Sequence, residues 1–168
     1  MKKLYKTLPP DYLYRSGVGI MIINQEQKIF VGKRIDNKDN LKEAWQMPQG
    51  GVDYGEDEET AMFRELKEET GINEKDVRII YRLPKYQYYN LPKQLQKKLW
   101  GGRYLGQKQR WFLLNFVSND SSINIKTKDP EFIDWKWVNK NELINLIVDF
   151  KRDLYVDILK GFNKFLPK

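Results

Sequence analysis

The sequence predicts an α/β fold, a sandwich built around a mixed β-sheet and formed by one domain over residues 1–168. Three observations predict it. Short apolar runs recur between polar turns, as strands of a covered sheet do. One helical segment lies inside the chain, and another closes it with an apolar stripe. The length suits one domain with a proper core, and no repeat, low-complexity segment or linker divides it.

Taken in order, residues 16–23 (SGVGIMII) read as an apolar strand and residues 28–33 (KIFVGK) as a second, with a hairpin turn over residues 24–27. Residues 35–43 are polar and read as a loop, and residues 43–49 (EAWQMPQ) lead to a glycine pair. From about Glu58 to Thr70 helix formers predominate, and Gly71 is placed to cap the C-terminus. Val77–Arg82 and residues 110–117 (RWFLLNFV) read as strands. Residues 133–138 alternate, setting Trp135 and Trp137 opposite Asp134 and Lys136. Residues 141–148 form a short helix. The last helix places Phe150, Leu154, Tyr155, Ile158, Leu159 and Phe162 on one core-facing stripe.

Composition narrows the chemistry. The chain has no cysteine, so disulfides and thiol catalysis are excluded and a reducing cytoplasm is compatible. It has no histidine, so any catalytic base is a carboxylate, Lys, Tyr or an activated water. No apolar run is long enough to span a membrane, and the N-terminal residues 1–15 lack the apolar core of a secretory signal.

The net charge of +7 is unevenly spread. Residues 50–72 (GGVDYGEDEETAMFRELKEETGI) hold eight acidic side chains against only Arg64 and Lys67. Such clustering is self-repulsive unless a cation sits within it. In a helix over Glu58 to Thr70, Glu65, Glu68 and Glu69 stand at i, i+3 and i+4, so their oxygens crowd one face. Hard oxygen ligands at that spacing suit Mg²⁺ or Mn²⁺. Arg64 is placed to pair with a carboxylate such as Glu56, and Ala61 and Leu66 supply apolar contact on another face. From Arg82 to Arg110 the bias reverses: eight basic residues, no acidic one, with Tyr86, Tyr88, Tyr89, Trp100 and Tyr104 between them. Basic and aromatic side chains in alternation suit a polyphosphate with stacked bases, or single-stranded RNA.

The pattern Gly50, five residues, Glu56, seven residues, Arg64-Glu65-Leu66, Glu68-Glu69, Gly71-Ile72 resembles the signature of the Nudix hydrolases at every defined position. The resemblance implies the Nudix fold, an α/β/α sandwich around a mixed sheet. It also implies a loop–helix–loop that binds divalent metal and hydrolyses a nucleoside diphosphate linked to another moiety. YRSGVGIMI, AWQMPQGG, LPK at 91–93, GQKQRWF at 106–112, PEF at 130–132, the paired tryptophans and FKRD at 150–153 are similar to the bacterial RNA pyrophosphohydrolases. That group is close to the dinucleoside polyphosphate hydrolases, which carry a tyrosine about sixteen residues beyond the box; Tyr89 stands there.

By this resemblance Glu65, Glu68 and Glu69, with the Gly50 carbonyl and Glu131 from a distant loop, hold the metal ions. One glutamate orients or deprotonates the attacking water: Glu68 is favoured, Glu65 is the runner-up, and the helix face alone does not separate them. Arg64 braces the catalytic loop. Arg15, Lys33, Arg34, Gln46, Gln49, Lys108 and Arg110 are candidate phosphate or ribose contacts, Tyr89 marks the substrate side, and Phe150 and Lys151 are candidate nucleobase contacts. The expected substrates are 5′-triphosphorylated or diphosphorylated RNA, followed by dinucleoside polyphosphates. A non-catalytic nucleotide- or RNA-binding module is the reading from another class, and the intact glutamates argue against it. Residues 90–102 are longer and richer in Lys than is usual for the family.

Overall fold

The first strand, β1 (Tyr14–Ile23), is buried at every position from Gly17 onward. A strand buried on both faces must lie inside a sheet covered on both sides. Val18, Ile20 and Ile22 point into one apolar cluster, which includes Ala61, Met62 and Leu66 of helix α1 (Glu58–Thr70). Met21 and Ile23 point into the other, with Leu154, Tyr155, Ile158 and Phe162 of helix α4 (Arg152–Phe162). The predicted α/β/α sandwich is therefore observed, with a core on each face of the sheet. The structure is a computed structural model and describes residues 10–35 and 44–168.

The sheet continues with β2 (Ile29–Arg34), β3 (Trp45–Gln46), β4 (Gln49–Gly51), β5 (Val77–Arg82), β6 (Gln87–Asn90), β7 (Gly106–Phe116) and β8 (Phe132–Val138). The main order is β3-β2-β1-β7-β5, with β4 on β1, β6 on β7 and β8 on β2. β1 and β7 run parallel from Tyr14↔Gly106 to Ile23↔Asn115, and the other pairs are antiparallel, so the sheet is mixed. The β1–β2 turn is held by Asn24, whose Oδ1 accepts from the backbone N–H groups of Glu26 and Lys28.

Helix α1 has the predicted bounds. The Asp57 side chain accepts from the Thr60 N–H at 2.9 Å, satisfying one of the helix's unpaired donors. Gly71 ends it at φ 71°, a left-handed conformation that glycine adopts without strain. Pairing of Val18 with Gly50 and of Gly19 with Gln49 lays the glycine loop against the central strand, directly beneath this helix. That register positions the site.

Several elements differ from expectation. β7 begins at Gly106, four residues earlier than read, because Gln107 and Gln109 are buried in spite of their polarity. β6 and the short helix α2 (Lys93–Lys98) were not anticipated: Gln-Tyr-Tyr-Asn has no apolar alternation, and α2 buries no residue. Helix α3 (Lys140–Leu146) matches the short helix expected at 141–148. Phe150 leaves the predicted stripe. It lies in a 3₁₀ turn, Asp149–Lys151, ahead of α4, and its ring packs 6.3 Å from that of Tyr89. The loop read over 35–43 lies outside the described residues from 36 onward, as do residues 1–9.

Candidate active site

Glycine at position 50 is dictated by what lies over it. A Cβ there would stand 1.9 Å from the Glu65 carboxyl carbon, so only a bare backbone lets that carboxylate sit on the loop. Gly50→Ala is therefore expected to displace Glu65 and weaken divalent-cation binding at least tenfold, with helix α1 retained; calorimetric titration with Mn²⁺ checks this. An affinity equal to wild type would show that Glu65 does not need its seat.

Arg64 gathers the loop and the helix. Its Nε donates to Glu56 Oε1 at 2.8 Å, and its Nη2 to Glu56 Oε2 at 2.9 Å and to the Gly51 carbonyl at 2.8 Å. Its Nη1 donates to Glu65 Oε1 at 2.9 Å and to Glu68 Oε2 at 3.2 Å. The fork on Glu56 is the bidentate geometry that makes arginine–carboxylate pairs strong. It holds the Glu56 carboxyl below its usual pKa and raises that of Arg64.

The remaining carboxylates are less satisfied. Glu69 is buried; its Oε2 accepts from the Gln49 N–H at 3.1 Å, while its Oε1 has no hydrogen-bond partner. Burial, and then the charges of Glu131 and Glu65, push its pKa well up. Glu65 is raised to about 7, first by burial and against the pull of Arg64. Glu131, just ahead of β8, is close enough to contribute to both shifts. Among the described residues no three carboxylates already surround one point at coordinating distance. Arg64 draws Glu65 and Glu68 onto itself, leaving Glu69 and Glu131 beside them. A buried carboxylate oxygen without a donor, amid neighbours of like charge, fits a hard divalent cation.

From Glu69 a continuous polar path leads away from the carboxylates. The Tyr89 hydroxyl is close enough to the Gln49 side chain to feel it, and burial raises its pKa to about 12. The Lys151 ammonium lies 5.2 Å from the centre of the Tyr89 ring and donates to Gln46 Oε1 at 3.3 Å. Arg34 donates to the same Gln46 oxygen at 3.3 Å. Arg15 lies over Gly51, where a Cβ would meet its Nη2 at 2.1 Å, and its guanidinium faces the Trp100 ring at 5.1 Å.

The NUDIX domain family matches residues 13–158. The chain belongs to the Nudix hydrolase family. A relative named RNA pyrophosphohydrolase from Pelagibacter ubique (strain HTCC1062) is 48% identical over 152 residues, covering 90% of this chain and 93% of that protein. One of the same name from Orientia tsutsugamushi (strain Boryong) is 46% identical over 164 residues, covering 98% and 96%. Among solved structures, the E. coli dihydroneopterin triphosphate pyrophosphohydrolase superposes with a TM-score of 0.66 at 19% identity, covering 89% of this chain and 99% of that one. A C. elegans Ap4A hydrolase superposes at 0.61 with 20% identity, covering 90% and 98%. At these identities the two structures show the shared fold. Nudix hydrolases generally use divalent cations, as the donor set here suits. Among the described residues no helix is long and apolar enough to cross a membrane.

Within the Nudix frame the sequence-derived candidates divide. Arg15, Arg34, Gln46, Gln49, Tyr89, Phe150 and Lys151 form one neighbourhood beside the carboxylates. Lys33, on β2, pairs in register with Trp45. Lys108 and Arg110 lie across the sheet, on the α1 face. Lys108 donates to Asp11 at 2.9 Å. Arg110 donates to Glu58 at 3.0 Å and stacks 3.9 Å from the Tyr86 ring centre. Much of the basic and aromatic stretch is thus occupied within the protein. Sequence reading did not single out Glu58, Gln107 and Gln109, and it named Tyr86 only as one of the interleaved aromatics. The two glutamines had a signal: amides and cations alternate from Gln107 to Arg110, and that period of two assigns Gln107, Gln109 and Trp111 to one face.

Proposed function

We propose that this protein is a cytoplasmic, Mg²⁺-dependent hydrolase that removes pyrophosphate from the 5′ end of triphosphorylated RNA. The observation that carries this reading is the unbroken run from the Glu65–Glu69–Glu131 group through Gln49 and Tyr89 to Lys151 and Phe150. Anhydride chemistry and recognition of a nucleotide base then lie side by side. The near-full-length relatives named RNA pyrophosphohydrolase support the same substrate class.

In this reading Glu65, Glu68, Glu69, Glu131 and the Gly50 carbonyl hold the cation. When bound, it supplies Lewis acidity toward water and offsets the charge that develops on the phosphoryl oxygens. Arg15 and Arg34 bind the polyphosphate, and Lys151 and Phe150 contact a base. Glu68 takes the proton of the attacking water, and Arg64 keeps the loop in register. Water attacks in line with the leaving phosphate.

Tyr89, at the position typical of dinucleoside polyphosphate hydrolases and central in the path, favours a second activity of the same site on diadenosine tetraphosphate. Competition decides between them. With Mg²⁺ and both substrates present, kcat/KM is expected to favour 5′-triphosphorylated RNA, with pyrophosphate or successive phosphates released. Preference for the dinucleotide, yielding ATP and AMP, reverses the order. Raising salt should weaken RNA binding more steeply than dinucleotide binding, because the longer polyanion releases more counterions.

A further inference from the structure

Residues 91–105 form an excursion between β6 and β7 that has no role in the scheme above. Its two ends meet. The Leu91 N–H donates to the Leu105 carbonyl at 2.8 Å, and the Leu105 N–H donates to the Leu13 carbonyl at 2.8 Å, just ahead of β1. Asn90 and Gly106 pair across its base. The excursion therefore stands on the sheet, and only Leu95 and Trp100 rest partly against the core. Helix α2 within it buries no residue, so core packing does not account for its composition. Lys93 and Lys97 stand at i and i+4 of α2, exposed and on one face, where like charges repel each other. No acidic residue occurs from Arg82 to Arg110 to relieve them. Among the described residues neither lysine pairs with a carboxylate, whereas Lys108 and Arg110 do. Such a pair of cations fits a polyanion lying over the helix.

Trp100 joins this surface to the active site. Its backbone is left-handed at φ 49°, a conformation that a bulky residue rarely adopts, and Gly101 and Gly102 continue the turn at 66° and 73°. Strain of this kind concentrates at ligand clamps. The turn sets the half-buried indole over Arg15, whose guanidinium carbon lies 5.1 Å from the ring centre. The Tyr104 ring stands edge-on to Trp100 at 6.1 Å, and the Arg103 guanidinium lies over Tyr104 at 5.9 Å. Arg15 in turn lies over Gly51 of the glycine loop. The path therefore runs from that loop over Arg15 to Trp100 and on to α2. Cations interleaved with aromatic rings match a single strand, with phosphates on the cations and bases on the rings. In the scheme above Arg15 binds the polyphosphate, so the chain that reaches Trp100 is the one attached to that polyphosphate. A dinucleoside polyphosphate ends at its second nucleoside, whereas a transcript continues.

We infer that residues 91–105 are a second binding surface for the RNA chain that follows the 5′-terminal nucleotides, with Trp100 stacking a base and Lys93 and Lys97 contacting phosphates. The inference deepens the RNA reading above and rests on it. The surface touches no reacting atom; it discriminates a transcript from a small nucleotide by holding what only the transcript has.

The test compares a 5′-triphosphorylated RNA octamer with the dinucleotide of the same 5′ sequence, in Mg²⁺. Wild-type kcat/KM should favour the octamer about tenfold or more. Trp100→Leu keeps an apolar side chain against the core. It should lower kcat/KM on the octamer about 5- to 100-fold, the loss of one base–aromatic stack, and leave the dinucleotide unchanged. Equal losses on both substrates would mean that Trp100 only supports Arg15, and overturn the inference. Fluorescence anisotropy with a 5′-hydroxyl RNA octamer in chelator reads the surface without the reaction. Lys93→Gln with Lys97→Gln should reduce the slope of log affinity against log salt by about 1.4, two single-strand phosphate contacts. Lys75→Gln with Arg78→Gln removes the same charge beside β5 and should leave the slope unchanged; equal effects of the two pairs overturn the inference. The two readings fail separately. A wild-type protein that hydrolyses octamer and dinucleotide alike keeps the 5′-end activity and loses the surface. One that leaves RNA intact, yet binds the octamer through Trp100, Lys93 and Lys97, keeps the surface and loses that activity.

Discussion

Glu68→Gln is expected to lower kcat on 5′-triphosphorylated RNA by about 10²- to 10⁴-fold, the usual contribution of a positioned base. The fold and much of the RNA affinity should be retained. The structural reason is exposure: the Glu68 side chain is 58% exposed, and it meets Arg64 through a single contact with Nη1 at 3.2 Å. Little of the fold depends on it, yet it stands beside Glu65 and one turn from Arg64. Glu65→Gln should behave differently. Glu65 is only 12% exposed and sits on Gly50, so its loss should lower cation affinity together with turnover. Rapid-quench measurements and Mn²⁺ titrations on both variants separate the two roles. Turnover surviving in both would reject a carboxylate mechanism at this helix.

The second large effect concerns pH without metal. In chelator, stability should fall as pH rises from about 5 to 8, opposite to the usual behaviour of paired carboxylates. The sign follows from Glu65, whose pKa is near 4.5 when free and raised to about 7 in the folded protein. Below the lower value both states are protonated and the contribution is complete; it is lost as pH climbs through the upper one. A shift of this size corresponds to about 3 kcal/mol. Glu69 is raised in the same sense by burial and adds to the slope. The chain contains no histidine, so apart from the α-amino group few other groups of ordinary pKa titrate in that window. Added Mg²⁺ should flatten the dependence, because the cation displaces the proton and compensates the buried charge. Thermal melts at several pH values, with chelator and with Mg²⁺, check this. A chelator Tm that stays level between pH 5 and 8 would mean that these carboxylates are not desolvated as described.

The parts of this protein that were legible beforehand share a cause. Helix α1, its Gly71 cap and the Glu56–Arg64 pair all depend on contacts within fifteen residues of chain, where periodicity and spacing fix geometry. The buried strand β1 was equally readable, because its apolar run is continuous. The misreadings share a cause too. β6 and the start of β7 are polar, and their burial is decided by partners far along the chain: Tyr89 opposite Gln107, and Gln109 against Gln49. Phe150 carried two compatible patterns, helix stripe and base contact, and only the tertiary structure shows that it leaves the stripe for a 3₁₀ turn beside Tyr89.

The sequence by itself determined the family, the acidic helix face and the chemistry available to it, since a chain without Cys or His leaves carboxylates to do the work. Tertiary structure alone decided how the candidate cations are paired and placed. Lys108 and Arg110 are neutralised by Asp11 and Glu58, whereas Arg15 and Arg34 lie near Tyr89. The physical reason is that charge pairing and hydrogen-bond direction are set by whichever group the fold brings within about 3 Å, and spacing along a chain does not encode that once the partners lie on different strands.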